Sequence, residues 1–124
     1  MKTVDGWKSA LRAALKEAMR ARQPQVVAVM RETLAAIDNA EAADLTAAPA
    51  VQQGVIAGGV AGLGAGEVQR RSLTPEAVEA IVARELAELR AAAASYEGLG
   101  RGDEAAALRS KAEALERLHS SAEP

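Results

Sequence analysis

The sequence predicts an all-α fold, an antiparallel bundle of about four helices with a glycine-rich linker between the second and third. Alanine, glutamate, arginine and leucine dominate the 124 residues, and these are the strongest helix formers. With Phe absent and Trp7 and Tyr96 the only aromatics, residues that favour sheets are too sparse to build one. Apolar residues recur at three- and four-residue steps, the period of an amphipathic helix. These observations predict one helical domain over residues 1–119.

The first helix is predicted over residues 5–22 and the second over residues 24–43. The apolar stripe of the first recurs at every fourth position: Trp7, Leu11, Leu15 and Met19. Pro24 suits only the first turn of a helix, so it should end the first helix and open the second. The second continues the apolar pattern through Val26, Val27, Met30, Leu34 and Ile37. Because the joint is short, the two helices should form an αα-hairpin or cross steeply.

Residues 46–72 differ in composition and predict a flexible linker. Six glycines and Pro49 lie within residues 46–66, which carry almost no charge, and glycine at this density loses much backbone entropy on ordering. The apolar stretch is interrupted at Gln52 and Gln53 and is shorter than the roughly 20 residues that a bilayer span needs. We therefore expect no membrane span.

A strong helix start follows the linker and predicts the third helix over residues 75–97. Thr74 offers a capping hydroxyl, Pro75 a preset φ, and Glu76 a negative charge at the positive end of the helix dipole. Its buried stripe should comprise Val78, Val82, Leu86, Leu89, Ala93 and Tyr96. Gly98 or Gly100 should end it in a left-handed conformation.

Asp103 is the expected cap of a fourth helix over residues 104–119. The inner face of this helix should carry Leu108, Leu115 and Leu118. Residues 120–124 are predicted to form a disordered tail.

Charge is distributed unevenly along the chain. Residues 1–22 hold six basic and two acidic side chains, whereas the whole chain has a net charge of −2. Four of these cations form a ridge with a four-residue spacing that suits a row of phosphates: Lys8, Arg12, Lys16 and Arg20. The commoner alternative is a solvated polar face, partly paired with Glu17 or with the acidic second helix.

Arg31 and Asn39 are two further polar residues of the second helix that could contact a partner. Arg31 follows Met30 in the apolar part of the second helix, and a buried arginine usually pairs with a carboxylate. Glu32, Glu41 or an acid of the third helix would supply that carboxylate. Asn39 lies two turns further on and could contact a partner, although asparagine is also a common helix terminator.

The sequence contains no recognisable catalytic constellation, metal-binding motif or cofactor motif. Cysteine is absent and the only histidine, His119, is expected in a fraying last turn, where its charged form would favour the helix dipole. No serine lies in a nucleophile elbow, and the glycine run lacks the Gly-Lys-Ser/Thr end of a phosphate loop. We expect a cytoplasmic protein because the start lacks a hydrophobic signal region.

Several stretches together resemble the YqeY family, whose fold recurs as the tail of the GatB subunit of glutamyl-tRNA amidotransferases. They are residues 15–20 (LKEAMR), residues 34–41 (LAAIDNAE), residues 73–76 (LTPE) and the helix break at residues 96–106 (YEGLGRGDEAA). The resemblance covers about residues 8–118 apart from the linker. It implies the N-terminal helical subdomain only.

The resemblance implies a non-catalytic accessory binding protein linked to tRNA-dependent amidotransferase or translation processes. Its partners would be tRNA or a translation-related protein, contacted through Lys8, Arg12, Lys16, Arg20, Arg31 and Asn39. One alternative is a helical module for self-association, as a homodimer, or for protein interaction without RNA. A third is the label often given to the family, carbon-nitrogen ligase activity with glutamine as amide donor, for which the sequence shows no catalytic residues.

Overall fold

The computed structural model describes residues 1–47 and 73–121, and within these ranges the chain forms four helices and no strand. The helices are α1 (Val4–Arg20), α2 (Pro24–Ala47), α3 (Pro75–Gly98) and α4 (Gly102–Ser120). The predicted all-α bundle is confirmed. Most of the predicted linker (48–72) and the end of the predicted tail (122–124) lie outside the described residues.

Helix α1 begins with a side-chain cap and ends two residues earlier than predicted. The Thr3 hydroxyl accepts a hydrogen bond from the Gly6 amide at 2.9 Å, which satisfies one of the free amides of the first turn. At the other end Arg22 adopts a left-handed φ of 57°. This turn lets the Gln23 amide donate to the Ala18 carbonyl at 3.0 Å and directs the chain into α2.

Helix α2 begins at Pro24 as predicted but continues to Ala47, beyond the predicted end at residue 43 and into the first two residues of the predicted linker. No glycine or proline occurs between Gln25 and Ala47, so no residue in this stretch ends the helix. The α1–α2 pair is an antiparallel hairpin, since Lys8 near the start of α1 contacts Glu41 towards the end of α2.

Helix α3 has the predicted boundaries to within one residue. The Thr74 hydroxyl accepts from the Ala77 amide at 3.1 Å, and Gly100 has a left-handed φ of 75°. Beyond the last turn, the Gly100 amide donates to the Glu97 carbonyl and the Arg101 amide to the Tyr96 carbonyl. This pair of bonds is the Schellman motif.

The predicted cap of α4 is wrong. Asp103 lies inside the first turn, and the cap residue is Arg101, which makes no side-chain capping bond. Because the Schellman turn already occupies the Arg101 amide, α4 begins immediately after it. Asp103 and Glu104 instead place negative charge at the positive end of the helix dipole.

The core lies where the four helices meet, and every helix contributes to it. Its buried members are Trp7, Leu11, Val29, Met30, Ile37, Val78, Val82, Leu86, Leu89, Ala112, Ala114 and Leu115. Leu15, Val26, Leu34, Leu108 and Leu118 are partly buried against this cluster. The predicted stripe of α3 is buried from Val78 to Ala93, whereas Tyr96 is half-buried.

The predicted stripe of α1 holds for Trp7, Leu11 and partly Leu15, but Met19 is 52% exposed and Ala18 is buried instead. Four residues turn the helix by about 400°, so each four-residue step drifts about 40° around the axis. After three steps Met19 has moved about 120° away from Trp7, while Ala18 returns to within about 20° of it. The buried residues of α1 therefore stay on one side of the helix, whereas residues spaced four apart rotate gradually away from that side.

Candidate nucleic-acid interface

The four cations of the α1 ridge drift around the helix as the apolar stripe does. Lys8 lies about 100° from Trp7 around the axis, and each later member lies about 40° further on. The ridge therefore starts at the border of the core and rotates into solvent. The four cations of the ridge therefore differ in their exposure to solvent and in their ion-pair partners.

Lys8 is held inside the bundle by an ion pair. Its ammonium donates to both carboxylate oxygens of Glu41, at 2.9 and 2.8 Å, and the two side chains are only 18% and 19% exposed. This arrangement confirms, for Lys8, the alternative in which ridge cations pair with the acidic second helix. Lys8 therefore links α1 to α2 through this ion pair and is not free to bind a phosphate.

Arg12 and Lys16 are exposed, and neither makes an ion pair with any residue that the structure describes. Arg20 is also exposed and lies 3.7 Å from Glu17, one turn earlier, a loose pair of the kind that contributes little in water. Among the described residues, the exposed part of the ridge thus consists of two cations without ion-pair partners and one weakly paired cation.

The expected burial and pairing of Arg31 are wrong. Arg31 is exposed, Glu41 binds Lys8, and Glu32 binds Lys111 of α4 at 3.3 Å. Consecutive residues of a helix point about 100° apart, so the side chain next to the buried Met30 can face solvent. Arg31 is one more cation available to a partner.

Asn39 is exposed on α2 and does not terminate the helix, which continues to Ala47. Its neighbour two positions earlier, Ile37, is fully buried. The interpretation of Asn39 as a helix terminator is therefore wrong. Contact between Asn39 and a partner stays a prediction.

A groove lies at the corner between α1 and α2. It is lined by Met19, Arg22, Gln23, Pro24, Val27, Ala28 and Arg31. Both charged side chains of this lining are arginines, and no ion pair involves either one within residues 1–47 and 73–121. Sequence reasoning did not find the groove, because Arg22 belonged to no pattern and Met19 was assigned to the core.

An aromatic and polar cluster at the opposite end of α1, which we call the clasp, was also missed. It comprises Lys2, Trp7, Glu79 and His119. Glu79 Oε2 accepts a hydrogen bond from the Trp7 indole N–H at 3.1 Å, and Glu79 Oε1 lies 3.0 Å from His119 Nε2. The His119 ring stacks on Trp7 with centroids 6.3 Å apart, and the Lys2 ammonium lies 4.8 Å from the Trp7 ring centroid.

The clasp corrects the expectation for His119. His119 lies in the last turn of α4, as expected, but its ring is half-buried and packs against α1 and α3. A buried tryptophan usually finds an acceptor for its indole N–H. The sequence therefore indicated only that Trp7 needs a hydrogen-bond acceptor nearby. That signal could not identify Glu79, which is 72 residues away.

Among the residues that the structure describes, Glu85 of α3 is the carboxylate with a shifted pKa. Burial, followed by the nearby charges of Glu88 and Glu32, raises the pKa of its side chain, while Arg84 and Lys111 act in the opposite direction. The group lies at the α2–α3–α4 junction rather than on the cationic surface. It bears on stability rather than on the candidate interface.

No group of three or more metal-ligating side chains occurs among the described residues. Likewise, no helix in the described parts of the chain has both the length and the apolar character needed to cross a membrane. Comparisons with family models, curated proteins and solved structures found no match.

Proposed function

We propose that this protein is a non-catalytic, YqeY-like helical module that contacts the phosphate backbone of RNA. It would act as an accessory to tRNA-dependent amidotransferase or translation processes. The observation that supports this proposal is the exposure of Arg12 and Lys16, without ion-pair partners in the described chain, on the side of α1 away from the core.

The spacing of these two cations suits a phosphate backbone. Arg12 and Lys16 are about 6 Å apart along the helix axis, and their long side chains can reach neighbouring phosphates. Such contacts bind through charge, depend strongly on salt and read little sequence.

The burial of the aromatic residues favours folded RNA over single-stranded RNA as the ligand. Trp7 is fully buried, and Tyr96 is half-buried with the Arg101 guanidinium 5.3 Å from its ring centroid. Binding of single strands usually relies on exposed aromatic rings, on which bases stack. The proposed ligand is therefore a folded RNA such as tRNA, recognised through its phosphates.

The non-catalytic role rests on how the chain uses its one histidine. His119 and Glu79 form a histidine–carboxylate pair, but both contact the buried Trp7. Their roles are therefore structural.

Titration of labelled tRNA at low and high salt tests the proposal. Arg12→Glu and Lys16→Glu should each weaken binding at low salt and reduce the slope of log affinity against log salt by about one. Arg84→Glu is the matched control, because it makes the same charge change at an exposed position of α3. Absence of binding at low salt, or equal losses in Arg84→Glu and Arg12→Glu, would refute an RNA interface on α1.

A further inference from the structure

We propose that the groove at the α1–α2 corner docks an acidic amphipathic helix from a partner protein. This site lies beside the exposed cations of α1, and its apolar floor makes it distinct from a phosphate contact. Binding of this kind would go beyond the RNA contact proposed above.

The floor of the groove is apolar and adaptable. Met19 is 52% exposed and shares the groove with Pro24, Val27 and Ala28. Methionine adjusts to different partner surfaces because its side chain is unbranched and polarisable. A helix that presents apolar residues at three- and four-residue steps is a common occupant of grooves of this kind.

The positive charge around the groove favours a partner with negative charge. Arg22 and Arg31 are the charged residues of the lining, and Lys16 and Arg20 are exposed on the last turns of α1. The whole chain carries a net charge of −2, so this corner is cationic against the average of the molecule. An acidic partner is the complementary one, whereas a second copy of this net-acidic chain fits less well.

The backbone at Arg22 provides a second, independent observation. Arg22 has a φ of 57° and occupies the position of a Schellman turn that glycine normally fills, as Gly100 does after α3. A side chain at this position costs stability. Within the described part of the chain, no ion pair of Arg22 offsets that cost, which supports a role for its guanidinium in binding.

The probe is a labelled synthetic helix of about 18 residues, about 27 Å long, with leucines at helical spacing and glutamates on both flanks. Fluorescence anisotropy should detect binding to the wild type. Met19→Asp should weaken that binding at least about tenfold, as expected for a central apolar contact. Arg22→Gly should weaken binding while raising the melting temperature, so a folding defect cannot explain the loss.

Three controls make the test specific. Leu99→Asp places the same charge at another exposed apolar residue, which is 70% exposed on the α3–α4 turn, and should bind as the wild type does. A scrambled peptide, and one with lysine flanks, should bind weakly. Met19→Asn, which adds no charge beside Arg20, should retain the tRNA affinity of the wild type.

Any of four binding outcomes would overturn the docking proposal. They are no binding of the glutamate-flanked peptide, equal binding of the scrambled peptide, equal effects of Met19→Asp and Leu99→Asp, and a loss of tRNA binding in the uncharged variant Met19→Asn. The last would assign the groove to RNA. Sedimentation velocity of the free protein completes the test, since a dimer abolished by Met19→Asp would identify a second copy as the occupant and refute the partner helix.

Discussion

Position around the helix axis, rather than residue type, decides what each charged residue of this bundle does. Lys8 and Lys16 belong to the same ridge, but they point about 80° apart. Lys8 reaches Glu41 and is mostly shielded from water, whereas Lys16 is exposed. A regular spacing of cations therefore predicts a basic face, but only the packing shows which members are free.

The partial burial of Glu85 predicts how the stability of the fold depends on pH. The raised pKa of Glu85 means that the folded state binds this proton more tightly than the unfolded chain does. Stability should therefore fall as pH rises from the ordinary glutamate range through the raised pKa, and the full penalty should be present above that pKa. Glu85→Gln is expected to raise the free energy of unfolding at pH 7, measured by urea denaturation.

The gain from Glu85→Gln should disappear at about pH 3.5, below the ordinary glutamate pKa, where both side chains are neutral. Glu113→Gln on α4 is the control, because Glu113 is exposed, and it should change little at either pH. A destabilised Glu85→Gln at pH 7 would indicate that attraction to the charges of Arg84 and Lys111 outweighs the cost of burial.

At the scale of elements, local chemistry predicted most helix boundaries, whereas packing decided the rest. Pro24 and Thr74 mark the helix starts that they predict, because proline geometry and a capping hydroxyl act within a few residues. Asp103 failed as a cap because the preceding turn set the start of α4. Met19 was wrongly predicted to be a core residue, because residues spaced four apart rotate by about 40° per step around the helix axis.

The turn between α3 and α4 allows a test of the left-handed position. A Cβ atom added at Gly100 or Gly98 would meet no atom within 4 Å, so crowding plays no part at either site. Gly100→Ala should lower the free energy of unfolding by about 1 kcal/mol, because alanine is strained at positive φ. Gly98→Ala, at a helical position, should leave stability unchanged or raise it by up to about 1 kcal/mol.

Thermal and urea denaturation of both glycine variants provide the measurement. Equal effects of Gly98→Ala and Gly100→Ala would show that the Schellman turn does not constrain the connection between α3 and α4. A stabilised Gly100→Ala would mean that the turn adopts another conformation in solution.

Helices α3 and α4 form a second hairpin, in which Arg109 of α4 pairs with Glu97 of α3. At the scale of the whole molecule, the two hairpins are joined by contacts between residues far apart in sequence. Lys111 of α4 pairs with Glu32 of α2, and the clasp connects α1 with α3 and α4. The Lys2 ammonium also donates to the Leu118 carbonyl at 2.8 Å. Periodicity within a segment identifies its buried face but not the segment that covers it, so the sequence alone did not predict these contacts.

Removal of the carboxylate from the clasp should loosen the attachment of α1 to the second hairpin. Glu79→Leu would leave the indole N–H of the fully buried Trp7 without its acceptor, and an unsatisfied buried donor costs about 1–3 kcal/mol. Because Trp7 is the only tryptophan, its fluorescence during urea denaturation reports directly on this end of the bundle. Glu76→Leu makes the same change at an exposed position of the same helix and should have a smaller effect. If both variants unfold at the same urea concentration, the Glu79 carboxylate does not hold the hairpins together.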